Sequence, residues 1–154
     1  MATSGNVVLT GQDTIQINGR ILNNFADKDV GELNFPEKIA DVKIGKNGNA
    51  IFAYNATGLR GELKLRLIRG SADDIFLNNL LASQQSNFAG FALLYGEFVK
   101  NLGDGQGNQA GDTYVMGGGI FTKIPEVKSN VEGDTDQGVT EWMIDFANNA
   151  RAIT

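Results

Sequence analysis

Any acid–base chemistry this chain performs has to be carried by carboxylates, lysines or tyrosines. It contains no histidine and no cysteine. That removes thiol nucleophiles, zinc-thiolate sites and imidazole acid–base catalysis. A pair of facing carboxylates would still suffice, as in glycoside hydrolysis. The candidates are Asp73 with Asp74, and Glu132 with Asp134 and Asp136. The first pair reads as helix capping and the second group as a solvated acidic turn, so no two carboxylates are singled out as partners. The glycine-rich run Gly103 to Gly111 holds Gly105-x-Gly107-x-x-Ala110, a relaxed dinucleotide pattern. Thr113, Tyr114 and Val115 then begin a strand, whereas a phosphate site needs a helix N-terminus there. Asp104, Gln106 and Asn108 have the spacing of a calcium loop, but Gln109 stands where glycine is required and Val115 where the bidentate glutamate belongs. Arg60, Lys64, Arg66 and Arg69 form a small basic stripe that reads as a solvated strand face. Asn55-Ala56-Thr57 matches a glycosylation sequon by chance. No catalytic, cofactor or metal site emerges.

The elements around these residues are more informative. Leu63, Leu65 and Leu67 alternate with Lys64 and Arg66, which predicts a half-buried strand. At Ser71 the period changes. Ser71 with Asp74 is a capping-box variant, and Asp73 and Asp74 put negative charge on the positive end of a helix. Ile75, Phe76, Leu77, Leu80 and Leu81 supply its apolar stripe. This is the one convincing helix in the chain.

The rest reads as strands. Val7 to Thr10 is a short one. Ile15, Ile17 and Ile21 alternate with Gln16, Asn18 and Arg20, giving a second with a wet face. Ala40, Val42 and Ile44 alternate with Asp41 and Lys43; Lys46 to Asn49 signals a hairpin, and Ile51 to Tyr54 returns. Phe88 to Lys100 is apolar on both faces, which predicts cover on two sides. Thr113 to Val127 is a strand broken by Gly117, Gly118 and Gly119, a bulge or close-approach signal. Trp142, Ile144 and Phe146 mark a last strand before a small, polar tail. Asn23 to Lys38 has no clear period and reads as a loop of about 16 residues, well beyond the usual 4–6. The fold class expected is mainly β with one flanking α-helix, in a single domain over residues 1–154.

Composition bounds the partners. The 154 residues carry a net charge of −5, with a sequence pI of about 4.6. Such a chain repels nucleic acid as a whole. No secretory signal is visible at its start, and no apolar run reaches the length of a membrane span.

The segment Asn55 to Leu81, N-A-T-G-L-R-G-E-L-K-L-R-L-I-R-G-S-A-D-D-I-F-L-N-N-L-L, resembles the middle of tail tube proteins from contractile-tailed bacteriophages. I-N-G-R-I-L-N-N-F-A-D-K-D at Ile17 to Asp29 is similar to their N-terminal strand and following loop, and D-V-K-I-G-K-N-G-N to their next hairpin. G-G-G-I-F-T-K-I-P-E-V, an acidic turn and E-W-M-I-D-F resemble their C-terminal strands. The specificity lies in the order of the pieces, which covers most of the chain; the Gly103–Gly111 loop has no counterpart. The resemblance implies a β-sandwich or partly closed barrel of orthogonally packed sheets. It also implies hexameric rings stacked into an inner tube within a sheath protein, with the genome passing down the lumen. Type VI secretion and pyocin tubes share that architecture. The expected location is the virion tail, assembled in the host bacterial cytoplasm, with no membrane, cofactor or enzymatic activity.

Two sets of residues follow as expectations. The inter-subunit contact set is Phe25, Asp27, Lys28, Asp29 and Phe35 in the long loop, with Lys46 and Asn47 at the hairpin tip. The apolar members would anchor and the charges set register. The lumen candidates are Gln16, Asn18 and Arg20 on one strand, or Glu62, Lys64 and Arg66 on another; duplex DNA should pass without tight binding. The competing readings are a monomeric β-barrel that binds a small ligand, and a carboxylate-based hydrolase.

Overall fold

The computed structural model describes residues 5–154. The chain is mainly β with one helix. In order, the elements are β1 (Val8–Leu9), β2 (Thr14–Ile17), β3 (Arg20–Ile21), β4 (Gly31–Asn34), β5 (Ala40–Ile44), β6 (Ala50–Tyr54), β7 (Gly61–Ile68), α1 (Ala72–Ser86), β8 (Leu94–Gly103), β9 (Gln109–Lys123) and β10 (Val139–Ile153). One antiparallel sheet runs β3-β2-β8-β9-β10-β7-β4, with β1 added to β8; β5 and β6 form a separate two-stranded sheet. The large sheet rolls up without closing. Gly31 on β4 lies against Ile15 on β2, near the opposite edge, so closely that a Cβ on Gly31 would come within 2.3 Å of Ile15 Cδ1.

The period-two residues fill the inside of the roll. Leu63, Leu65 and Leu67 from β7 meet Ile15 and Ile17 from β2, Leu94 from β8, Met116 and Phe121 from β9, and Trp142, Ile144 and Phe146 from β10. Helix α1 contributes Leu77 and Leu81, with Phe76 and Leu80 partly buried at the margin. Ile75, expected in that stripe, is exposed: it projects from the solvent side of the helix.

The helix begins as its residues dictate. Ser71 Oγ accepts from the Asp74 amide at 3.3 Å, and Asp74 returns a bond to the Gly70 amide at 2.8 Å. The same carboxylate accepts from Trp142 Nε1 at 2.9 Å, which fixes the cap to the core. At the other end, buried Gln84 exchanges two 2.9 Å bonds with the backbone of Phe121. Leu94, the first residue of β8, pairs with Gly119, so Phe121 lies beyond β8 and the Gln84 amide occupies the place of a neighbouring strand. The bulge expected at Gly117–Gly119 is present: the β8–β9 register shifts between Leu94 and Gly96, and Gly118 has φ +65°.

Several expectations are corrected. Asn18 and Gly19 form a tight turn between β2 and β3, with φ of 50° and 83°, so Ile15 to Ile21 is a hairpin and not one strand. Asn-Gly suits a turn that needs left-handed backbone at two positions. The stretch Asn23 to Lys38 is not a free loop. Asn24, Ala26 and Val30 exchange backbone bonds with β7, and β4 pairs with Glu62, Leu63, Lys64 and Leu65 of that strand. Strand β8 starts only at Leu94, leaving Phe88 and Leu93 exposed, and Tyr95 is exposed within it. The polar tail is strand too: Asn148 to Ile153 pairs with β9.

Candidate assembly surface

The hairpin of β5 and β6 stands off the body, and all ten of its strand residues are exposed. Alternation makes the strands and the turn sets their register. The Gly45 amide donates to Asn49 O at 2.7 Å and Gly48 takes φ +84°. The partners are Ala40 with Tyr54, Asp41 with Ala53, Val42 with Phe52, Lys43 with Ile51, and Ile44 with Ala50. Directly opposed residues share a face, and faces alternate along a strand. One face of the hairpin is therefore wholly apolar: Ala40, Val42, Ile44, Ala50, Phe52 and Tyr54. The other carries Asp41, Lys43, Ile51 and Ala53. Phe52 is 76% exposed and Tyr54 73%. At roughly 150–250 Å² per aromatic side chain, the two rings alone leave on the order of 200–400 Å² in water. At about 25 cal/mol per Å², covering them is worth roughly 5–10 kcal/mol.

The root of this arm is held firmly. Asn55 N donates to Ile39 O, and the Asn55 side chain accepts from Thr57 N and Thr57 Oγ1 to cap a 3-10 turn at Ala56–Leu59. Gly58 in that turn sits on the Lys38–Ile39 backbone, where a Cβ would be 2.5 Å from Lys38 O.

Of the expected contact residues, Lys46 and Asn47 lie at the exposed tip of the arm. Phe25 instead packs against the chain's own core and bridges to Leu67. Phe35 stacks on Tyr114 at 6.0 Å, and Tyr114 also carries the Arg151 guanidinium over its ring. Arg151 forms a two-pronged bond to Asp112, chiefly through which its charge is stabilised beyond the ordinary arginine value. Asp27 pairs with Arg66 at 3.2 Å. Lys28 takes left-handed backbone (φ 60°) and lines a surface cleft of about 370 Å³ shared with Arg66, Arg69 and Lys123. Asp29 is exposed.

The lumen candidates fall on two separate regions. Gln16 is half-buried opposite Glu97 and Ile21. The Asn18 carboxamide accepts from the Tyr95 amide at 3.0 Å. Arg20 is committed to Asp73 at 2.9 Å and lies 5.3 Å over the Phe76 ring. Glu62, Lys64 and Arg66 share the outer face of β7 with Glu32 on β4 and Glu141 and Asp145 on β10. There Arg60 bridges Asp145 at 2.9 Å and Glu62 at 2.6 Å, and Arg66 bridges Asp27 and Glu141. Five carboxylates (Asp27, Glu32, Glu62, Glu141 and Asp145) thus face Arg60, Lys64 and Arg66, a surface with a net acidic excess of two charges.

The carboxylates considered for catalysis have structural work. Asp73, 1% exposed, accepts from the amides of Asn23 (2.6 Å) and Asn24 (2.8 Å) as well as from Arg20. Burial alone would push its carboxyl up; those donors outweigh burial and hold it below the usual range. Asp134 caps a 3-10 turn at Thr135–Gly138 and binds Lys128 at 2.9 Å, which lowers it likewise. In the glycine-rich run, Asp104 accepts from the Gln106 and Asn108 amides and from Asn108 Nδ2, closing the turn between β8 and β9. Among the described residues no group of three or more acidic side chains is placed to hold a metal ion. No helix among them is long and apolar enough to cross a membrane.

The sequence reading overlooked the two-strand apolar face. Its signal was in the chain: two alternating runs and a turn that fixes which residues oppose one another. No protein-family model matches this chain, and no curated protein matches it.

Proposed function

We propose that this chain is a self-assembling structural subunit whose hexameric rings stack into the inner tail tube of a contractile phage or phage-like particle. The observation that carries self-assembly is the arm. A two-stranded hairpin is at best marginally stable in water. This one is amphipathic, and its own body leaves the apolar face uncovered. A second copy supplies the missing layer. The same arm meeting a different surface on each neighbour gives a head-to-tail contact, which closes into rings or runs on as filaments. The finer assignment, a genome conduit inside a sheath protein in a virion tail, rests on the ordered resemblance to tail tube proteins. The outer face of β7, where every Lys and Arg is matched by a carboxylate and acid is in excess, suits a wall along which duplex DNA moves without being held, since uncompensated Lys or Arg would add salt-dependent affinity. The ligand-binding barrel fits less well, because Trp142, Phe146 and the leucines of β7 fill the interior.

The test is direct. Concentrated protein should show rings or tubes by negative-stain microscopy and fast-sedimenting species in the ultracentrifuge. Phe52→Asp should leave the fold intact within about 0.5 kcal/mol, as surface substitutions do, and abolish those species. Wild-type protein that stays monomeric under all salt conditions overturns the proposal.

A further inference from the structure

The chain contains two Asn-Gly pairs, Asn18-Gly19 and Asn47-Gly48. Such a pair is chemically labile because glycine, lacking a Cβ, leaves its backbone nitrogen open and its backbone free to turn. We propose that Asn47, at the tip of the arm, is the chain's site of spontaneous deamidation, and that the fold protects Asn18.

The step uses only solvent. The Gly48 amide nitrogen gives its proton to base and attacks Asn47 Cγ. The Cγ–Nδ2 bond breaks and ammonia leaves, forming a cyclic imide. One water molecule then opens either imide C–N bond, giving aspartate, or isoaspartate with the main chain rerouted through the side-chain carbon. Nothing is oxidised or reduced.

The two sites differ in what must open first. At the tip, no hydrogen bond holds the Asn47 carboxamide among the described residues. The Gly48 N–H makes only a 3.2 Å bond to Gly45 O, at the long end of the range. All residues of the turn are exposed, so its opening disturbs no packing. Asn18 is tied twice to β8: its amide donates to Tyr95 O at 2.8 Å and its Oδ1 accepts from Tyr95 N at 3.0 Å. Turning Cγ onto Gly19 N breaks the Oδ1 bond, and the backbone bond resists the rotation of the turn that brings the two atoms together. Two such bonds slow the reaction at Asn18 by about tenfold or more.

The product matters where it sits. Residues 39–54 carry Lys43 and Lys46 against Asp41, a net charge of +1, so the remainder of the −5 chain carries −6. A new carboxylate at position 47 cancels the arm's positive charge, and isoaspartate also lengthens the turn that sets its register. A chain modified there loses its electrostatic attraction to the acidic body of another copy. That consequence rests on the assembly proposed above; the modification itself does not.

Dilute full-length protein, held at mildly alkaline pH and raised temperature, should be sampled over time and digested. Mass spectrometry and isoaspartate detection then give the conversion at each asparagine. A free peptide spanning residues 44–51 serves as the unstructured reference, and Asn47→Ser as the control that removes the signal. Asn47 should convert at close to the peptide's rate, and about tenfold or more faster than Asn18. Asn18 converting as fast as Asn47, or Asn47 converting more than about tenfold slower than the peptide, overturns the assignment. A concentrated sample reports separately on assembly: slower conversion there than in dilute protein means the tip is covered by another copy, whichever way the first comparison falls.

Discussion

Replacing Asp73, in the first turn of α1, by alanine removes the acceptor on which the Asn23–Asn24 backbone and Arg20 converge. The amides of Asn23 and Asn24 lose their partner at 2.6 and 2.8 Å. An unsatisfied buried donor costs about 1–3 kcal/mol. The Arg20 pair adds less than its 2.9 Å separation suggests, because Arg20 is 42% exposed and solvent screens it. The sum is about 3–5 kcal/mol, a large part of the roughly 5–15 kcal/mol expected for a whole domain. For a chain of this size that lowers Tm by about 6–20 °C. Urea or thermal unfolding can be followed through Trp142, which is 1% exposed, packs on Phe121 at 5.3 Å and binds Asp74. The pH dependence separates charge from packing. Asp73 has its folded pKa below its unfolded value, so its contribution is complete above the usual carboxylate range, about 3.9. It is lost as pH falls through the lower, folded value. The gap between wild type and Asp73→Asn should therefore be constant from neutral pH down to that range and shrink in stronger acid. A loss under about 1 kcal/mol for Asp73→Ala refutes the reasoning, because no buried amide could then have been left unpaired. A loss for Arg20→Ala equal to that of Asp73→Ala places the energy in the ion pair instead.

Gln84→Leu should destabilise by about 2–4 kcal/mol, since it leaves the Phe121 N–H and carbonyl unpaired at the end of β9; faster amide exchange confined to that strand end checks the location. Gly31→Ala should cost about 1–3 kcal/mol, because its Cβ meets Ile15 Cδ1, and combining it with Ile15→Val should cost less than the two changes added. Fluorescence anisotropy with a labelled duplex should show weak binding at physiological salt; tight binding would contradict a wall that lets DNA pass.

What was legible in the chain depended on how far each signal reached. The β7 leucines, the Ser71 cap and the β5–β6 alternation are local, and the fold keeps them because tertiary contacts reinforce them. Ile75 fell out of the stripe because five apolar residues in seven span more of a helix than one sheet can cover. The Asn23–Lys38 stretch was misread because its order comes from β7. Its inward residues, Gly31 and Leu33, give too short an alternation to see, and the backbone bonds of Asn24, Ala26 and Val30 depend on a partner distant in sequence. Asp73 was rightly given to the helix start, but its second task, holding Asn23 and Asn24, joins residues about fifty positions apart and leaves no local pattern. The Asn18-Gly19 turn was readable, and the isoleucine alternation across it concealed it. For the candidate surface the strands were legible, and the choice of arm was not. Sequence alternation shows that a strand has an apolar face, and only the tertiary fold shows that the face is left bare.

That bare face divides the chain into two energetic parts. The rolled sheet and α1 bury their own apolar residues, with the helix start capped by Ser71, Asp74 tied to Gly70 and Trp142, and the end of β9 satisfied by the strand-mimicking Gln84. The arm gains almost nothing from the body except its root at Asn55 and Gly58. Its turn and its ladder bonds select a conformation, but they supply little net stability against water. The missing free energy is the burial of Val42, Ile44, Phe52 and Tyr54, and it becomes available only when another surface arrives. Whatever binds the ordered arm and not the loose one stabilises it in proportion to its concentration. The arm's order and the association of copies are then one equilibrium. On the assembly proposed above, a hairpin completed only by a neighbour would keep subunits apart when dilute and let the assembly grow when concentrated.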